Sequence, residues 1–359
     1  MVMSDGDNLN SGALRVAFID TLRGVAMLLV IFHHCGAPGS DLILAFHMPL
    51  FFWLSGYVQS LQKGDISLWV TIKKRFVRLM LPYFGFELIN LGISLVFYPH
   101  LLHANNFQSA LWSIASCVNV PVYYGICLRL WFLPCMFVVG ILYALIAKMI
   151  EWRHGSVAKW SWACGLAFIL LSFAVNTAMP EGRLPFALDT GLVGAGFLFF
   201  GIACRPYVDW LYVQKWYVLA AVAIIGGGGV YAAQELNSSL FLMYVDQYGD
   251  YLYAMPGALA GCFFACSLVF LCKDMLPVRM VNYLSRNSLA IFPVHLDILF
   301  LVSVLLKSVD SLQLFPFSSN NFVFKVIFVC VLMIPCIWVV NRFFPVLAGK
   351  GWKKREPRQ

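Results

Sequence analysis

Ten long apolar stretches run along this chain, at roughly 17–35, 42–62, 76–98, 129–149, 160–178, 187–204, 215–234, 253–272, 284–306 and 322–342. Charged or turn-forming positions separate them. Each approaches the ~20 residues that a helix needs to cross a bilayer, so the pattern predicts an all-α fold: a polytopic transmembrane bundle of about ten spans. The stretch from Asn105 to Tyr124 is aromatic but interrupted by Gln108, Asn119 and Pro121, and reads as an interfacial or re-entrant piece. Residues 1–14 are expected to form a disordered tail, 15–345 one membrane domain, and 346–359 a basic tail. No small-residue cleavage site follows the first apolar run, which is therefore expected to remain as an anchor.

Composition agrees with that pattern. The 359 residues are 61% hydrophobic and 12% charged, against about 45–50% and about 25% in soluble domains. A soluble fold of this length would have too little polar surface to cover its core. Lysine and arginine cluster in alternate connections, as in Lys73, Lys74, Arg75 and Arg78, while the other side receives only Arg129, Arg183, Lys307 and Lys325. This bias predicts cytoplasmic N- and C-termini in a multi-pass protein of the cell membrane. The net charge of +8 is then a topology signal and an attraction to anionic membrane lipid, not a nucleic-acid footprint. None of the eleven cysteines falls in CxxC or Cys/His metal spacing, so no metal site is expected. Cys117 and Cys127 share one expected external segment, where a disulfide and two free thiols are both open.

Ionisable groups inside spans are costly, and each marks a possible site. In RGVAMLLVIFHH, Arg23 and His34 are eleven positions apart, which on a helix returns to nearly the same face after roughly 16 Å of axis. Arg23 alone reads equally as a snorkelling anchor and His34 as an interfacial imidazole; their shared stripe is what neither explains. His33 is expected to point away from that face. Asp20 is placed to orient Arg23. His47, just before Pro49 in what is expected to be the first turn of the next helix, should be brought to His34 by the short CGAPGSD connection. Arg75 and Arg78, spaced i, i+3, present guanidinium forks suited to phosphate or serve only as a positive-inside signal. His295 is either hydrogen-bonded within the bundle or part of the same site.

The blocks DTLRGVAMLLVIFHH, FHMPLFFWLSGYV, KKRFVRLMLPY, LWFLPCMFVV, LPFALDTGLVGAGFLFFGI and SRNSLAIFPVH, in this order and spacing, resemble the membrane-bound acyltransferase 3 family, in particular fucose 4-O-acetylase-type enzymes. The resemblance implies ten core spans and transfer of an acetyl or other small acyl group from cytoplasmic acyl-CoA to a hydroxyl of a cell-surface or exported carbohydrate or glycolipid. The family's arginine and histidine with ten residues between fall on Arg23 and His34, and its arginine pair on Arg75 and Arg78. On this reading His34 is the general base, Asp20 and Arg23 assist it, and Arg75, Arg78 and Arg23 hold the acetyl-CoA donor. His47, His295, Arg129 and Trp131 would meet the acceptor. No tightly bound cofactor is expected. The competing class, a transporter or flippase for a glycan or small metabolite, would use the same intramembrane charges as proton relays.

Overall fold

The computed structural model describes residues 5–62, 67–97, 104–117, 130–180, 183–311 and 321–350. In order the helices are α1 (Asp5–His34), α2 (Ser40–Leu61), α3 (Leu68–Arg75), α4 (Leu81–Phe97), α5 (Ala104–Ser116), α6 (Phe132–Trp152), α7 (Val157–Ala178), α8 (Leu188–Ala203), α9 (Arg205–Tyr212), α10 (Trp216–Leu236), α11 (Tyr251–Leu271), α12 (Val278–Arg286), α13 (Ser288–Ser311) and α14 (Phe322–Phe343). The fold is all-helical as expected, and nine helices among the described residues are long and apolar enough to cross a membrane. The first expected span lies within α1, whose helix already begins at Asp5.

The bundle is organised around α2 and α8. Every residue of α8 from Asp189 to Ala203 is buried, which is what an all-round apolar helix requires. α8 packs on α2, α6 and α7; α2 also packs on α1 and α11, α10 covers α11, and α13 pairs with α14. Ile224 and Ile225 on α10, and Ile327, Val331 and Trp338 on α14, are exposed. They are suited to lipid, where an apolar side chain costs nothing.

Lipid tails are as apolar as leucine, so close backbone approach must hold such helices together. A Cβ on Gly56 of α2 would overlap the Leu198 carbonyl of α8, and one on Gly201 of α8 would overlap the Trp53 carbonyl of α2. The two glycines lock the central pair from both sides.

Several boundaries differ from the sequence expectation. α2 starts at Ser40, so Pro49 lies inside the helix rather than in its first turn. Gly36 and Gly39, both at positive φ, complete the α1–α2 turn early because only glycine enters that conformation without strain. The third span begins at Leu68, and a π-helical turn over Phe76–Met80 joins α3 to α4. The aromatic segment contains α5, whose 13 residues cover only about 20 Å at ~1.5 Å each, too short to cross. The chain after α14 folds back: Lys350 Nζ donates to Asn341 Oδ1 (2.8 Å), and Asn341 Nδ2 donates to Asn287 Oδ1 (2.8 Å).

Gly56→Ala is expected to lower the melting temperature of the detergent-purified protein, at an overpacking cost of about 1–3 kcal/mol. Gly228→Ala, where a Cβ meets open space, should leave melting unchanged.

Candidate active site

α1 crosses α12 at Gly24, where a Cβ would overlap the Val281 carbonyl. Thr21 Oγ1 donates to Asn282 Oδ1 (3.3 Å) beside that crossing. The crossing sets Arg23 against a cavity of about 1180 Å³ whose lining includes Asp20, Arg23, Arg75 and Arg78. Seven cationic side chains and two carboxylates line it, and its volume exceeds the ~300–1,000 Å³ of common small-molecule pockets.

Arg75 and Arg78 enter this cavity around the π-turn, a distortion common at functional sites. The Arg75 guanidinium lies across α6 at Gly140, where any Cβ would overlap it, and its Nη1 donates to the Met136 carbonyl (3.5 Å). Arg78 lies within electrostatic reach of both Arg23 and Arg75. Among the described residues none of the three forms an ion pair with a carboxylate; the ion pairs recorded there are Arg183–Asp189 and Arg205–Asp209. The three guanidinium groups repel one another, an effect that Asp20 offsets only in part at Arg23, so the arrangement favours a polyanionic group such as a phosphate ester.

At the other end of α1 the imidazoles form a row. The ring centroids are 5.5 Å apart for His47 and His33, 5.0 Å for His33 and His34, and 5.2 Å for His34 and His295. His33 and His34 thus face different helices, as their spacing implies, and the neighbour of His47 is His33 where His34 was expected. The last turn of α1 packs between α2 and α13, so adjacent positions about 100° apart each face a different neighbour. His47 Nδ1 donates to the Ile43 carbonyl (2.9 Å), and His295 Nδ1 to the Phe292 carbonyl (2.7 Å). In their neutral forms both rings therefore carry Nε2 as the proton acceptor. His47 and His295 are buried, whereas His34 is exposed.

The remaining sequence candidates divide. Trp131 is half-buried with its ring 5.9 Å from Phe132. Arg129 and Cys127 lie outside the described residues; Cys117 is a buried free thiol. Sequence reasoning missed Gly140, His33 and the buried Glu87 of α4, whose Oε1 accepts from the Leu130 backbone N–H (3.3 Å). Glu87 was visible as a carboxylate inside an apolar run, and His33 as the neighbour of His34. No sequence signal marks Gly140, since glycine is common in spans.

A family model described as an acyltransferase domain, acyltransferase 3, matches residues 16–342. The chain belongs to the acyltransferase 3 family. No curated protein and no solved structure matches it. No group of three or more His, Cys, Asp or Glu suited to a metal occurs among the described residues.

A polar cap made by the start of α8 and the 237–250 connection lies beside the first turn of α6. Arg183 pairs with buried Asp189 (3.2 Å) and donates to the Tyr244 carbonyl (2.7 Å), while Thr190 Oγ1 donates to the Met243 carbonyl (2.8 Å). Burial pushes the Asp246 carboxyl up, against the Asn176 amide that donates to it (3.1 Å). Arg183→Leu strands the Asp189 charge and is expected to cost about 3–5 kcal/mol; adding Asp189→Asn should restore most of the lost melting temperature.

Proposed function

We propose that this acyltransferase moves an acetyl group from cytoplasmic acetyl-CoA to a hydroxyl of a cell-surface or exported carbohydrate. The observation that carries the reading is the polarity of α1: Arg23 lines a cationic cavity at one end, and His34 is exposed beside His295 at the other. The excess of Lys and Arg at the cavity end supports its opening to the cytoplasm. Arg75, Arg78 and Arg23 hold the donor's phosphates there, with the thioester arm running along α1. Asp20, also at the cavity wall, orients Arg23. The likeness to fucose 4-O-acetylase-type enzymes supports a sugar hydroxyl as acceptor, with His47 and Trp131 near its approach.

The chemistry balances without a further reagent. The acceptor oxygen attacks the thioester carbonyl carbon while its proton passes to the neutral His34 ring, a transfer that a near-neutral imidazole performs well. The C–O bond forms, the C–S bond breaks, and the departing thiolate recovers the proton from His34 as free CoA. His295, tautomer set by its own helix, lies alongside to share the charge.

His34→Ala should lower transfer of labelled acetyl by at least ~100-fold, as loss of a general base does, with the protein still folded in the membrane; retained activity would remove the base assignment. Turnover by purified protein without any gradient separates this reading from a transporter. Arg75→Ala should raise KM for acetyl-CoA with little change in the acceptor KM. Gly140→Ala, which displaces the Arg75 guanidinium without removing it, should do the same, and an acceptor-side effect instead would take Arg75 out of the donor site.

A further inference from the structure

Resting on that reading, we infer that Arg286 and Lys350 form a second anion site at the rim of the cavity, which binds the ribose 3′-phosphate of a free coenzyme A thioester. Both side chains line the cavity and both are exposed, whereas Arg23 and Arg75 are half-buried. The cations of the lining are thus graded in depth, and these two stand at the outer edge.

Lys350 reaches the cavity because the chain after α14 turns back. The Leu347, Gly349 and Lys350 amides donate to the Phe344, Val346 and Pro345 carbonyls (2.9, 3.0 and 3.0 Å), and Gly349 takes a left-handed φ of 67°. The turn is wedged in place: the Leu347 side chain occupies the space over Gly85 of α4, and Gly349 lies against the Arg78 carbonyl and Leu289 of α13. Buried Ala348 joins Lys350 on the cavity wall. A positive-inside signal needs only charge in the connection; it requires no such docking of the backbone.

A chain of hydrogen bonds ties the two cations together. An ammonium only donates. Lys350 Nζ therefore donates to Asn341 Oδ1 (2.8 Å), Asn341 Nδ2 to Asn287 Oδ1 (2.8 Å), and Asn287 Nδ2 to the Tyr283 carbonyl (2.8 Å). Asn287 directly follows Arg286. Each amide is engaged through both its oxygen and its nitrogen, which fixes its orientation, and the Asn341 contact takes only one of the three N–H of Lys350. Among the described residues neither Arg286 nor Lys350 forms an ion pair, whereas Arg205, also on the lining, is paired with Asp209.

The order of groups in the donor selects this edge. In coenzyme A the diphosphate separates the pantetheine arm from the adenosine, and the 3′-phosphate hangs from the ribose. With the arm along α1 and the diphosphate at Arg23, Arg75 and Arg78, the ribose comes last and sits at the rim. A phosphomonoester there carries about −1.5 to −2 charges and three acceptor oxygens, matched by a guanidinium fork and an ammonium. A phosphopantetheine arm on a carrier protein has no such group, so the site sets the free nucleotide thioester apart from a protein-bound one.

The test measures the affinity of the purified full-length protein for CoA and for 3′-dephospho-CoA, which needs no acceptor. Hydrogen bonds to charged groups are worth about tenfold or more each, so the wild type should bind CoA at least ~10-fold more tightly than 3′-dephospho-CoA. Lys350→Gln, which keeps an N–H for Asn341 and removes only the charge, and Arg286→Gln should each narrow that ratio, and the double variant should bring it to within about threefold of unity. The change should come from weaker CoA binding, with 3′-dephospho-CoA bound as in the wild type, which also shows that the variants are folded. A wild type that binds both nucleotides equally overturns the rim site while leaving the donor reading intact, and so does a wild-type ratio retained in the double variant. If the wild type binds neither, the donor reading itself falls, and the rim site with it.

Discussion

The close crossing of α1 over α12, with Gly24 against the Val281 carbonyl, is the contact on which the arrangement of the site depends. Arg23 is the residue next to that contact, so the depth at which a guanidinium stands in the bundle is set by a backbone-to-backbone approach. Once α1 is held there, its far end emerges between α2 and α13, and its two histidines meet one neighbour each. Moving the crossing by a turn would shift Arg23 and His34 together by about 5 Å, away from the arginines of the third span at one end and from His295 at the other.

A membrane interior makes such placement both costly and durable. A charge in the bilayer must face the bundle or a water-filled space, and here three arginines share one cavity with the carboxylates of Asp20 and Glu151, an excess of positive charge that favours an incoming anion. The imidazole row obeys the same economy: His47 and His295 each spend their Nδ1–H on a carbonyl of their own helix, so that neutral rings can be buried. His34 keeps its exposure. Phe51, Phe52, Phe132 and Phe292 form a contiguous set of ring contacts, and Phe292 also touches His295.

Much of this was legible beforehand for a physical reason. Helical geometry is rigid over one helix, so the eleven-residue spacing of Arg23 and His34 already implied a common face and a span of roughly 16 Å, and the arginine spacing in KKRFVRLM implied two forks on one side. Local logic failed where a neighbouring helix decided the outcome. His33 was set aside because its direction differs from that of His34, yet α2 lies in that direction and carries His47. Pro49 was read as a helix start because proline is most at home there, but the glycine turn at Gly36 and Gly39 lets α2 begin nine residues earlier. Gly140 carried no signal at all, because what it accommodates belongs to another helix.

The sequence by itself determined the all-helical membrane architecture, the rough limits of most of its long apolar helices, and the pairing of a fixed cation with an imidazole along α1. These follow from hydropathy and from the regular rise of a helix, both properties of a short stretch of chain. Only the tertiary structure decided that three arginines from α1, α3 and the π-turn share one cavity, and that four histidines from three helices form a single row. Those facts depend on which glycines let which backbones approach, and a close approach between helices far apart in the chain leaves no periodic trace in either one.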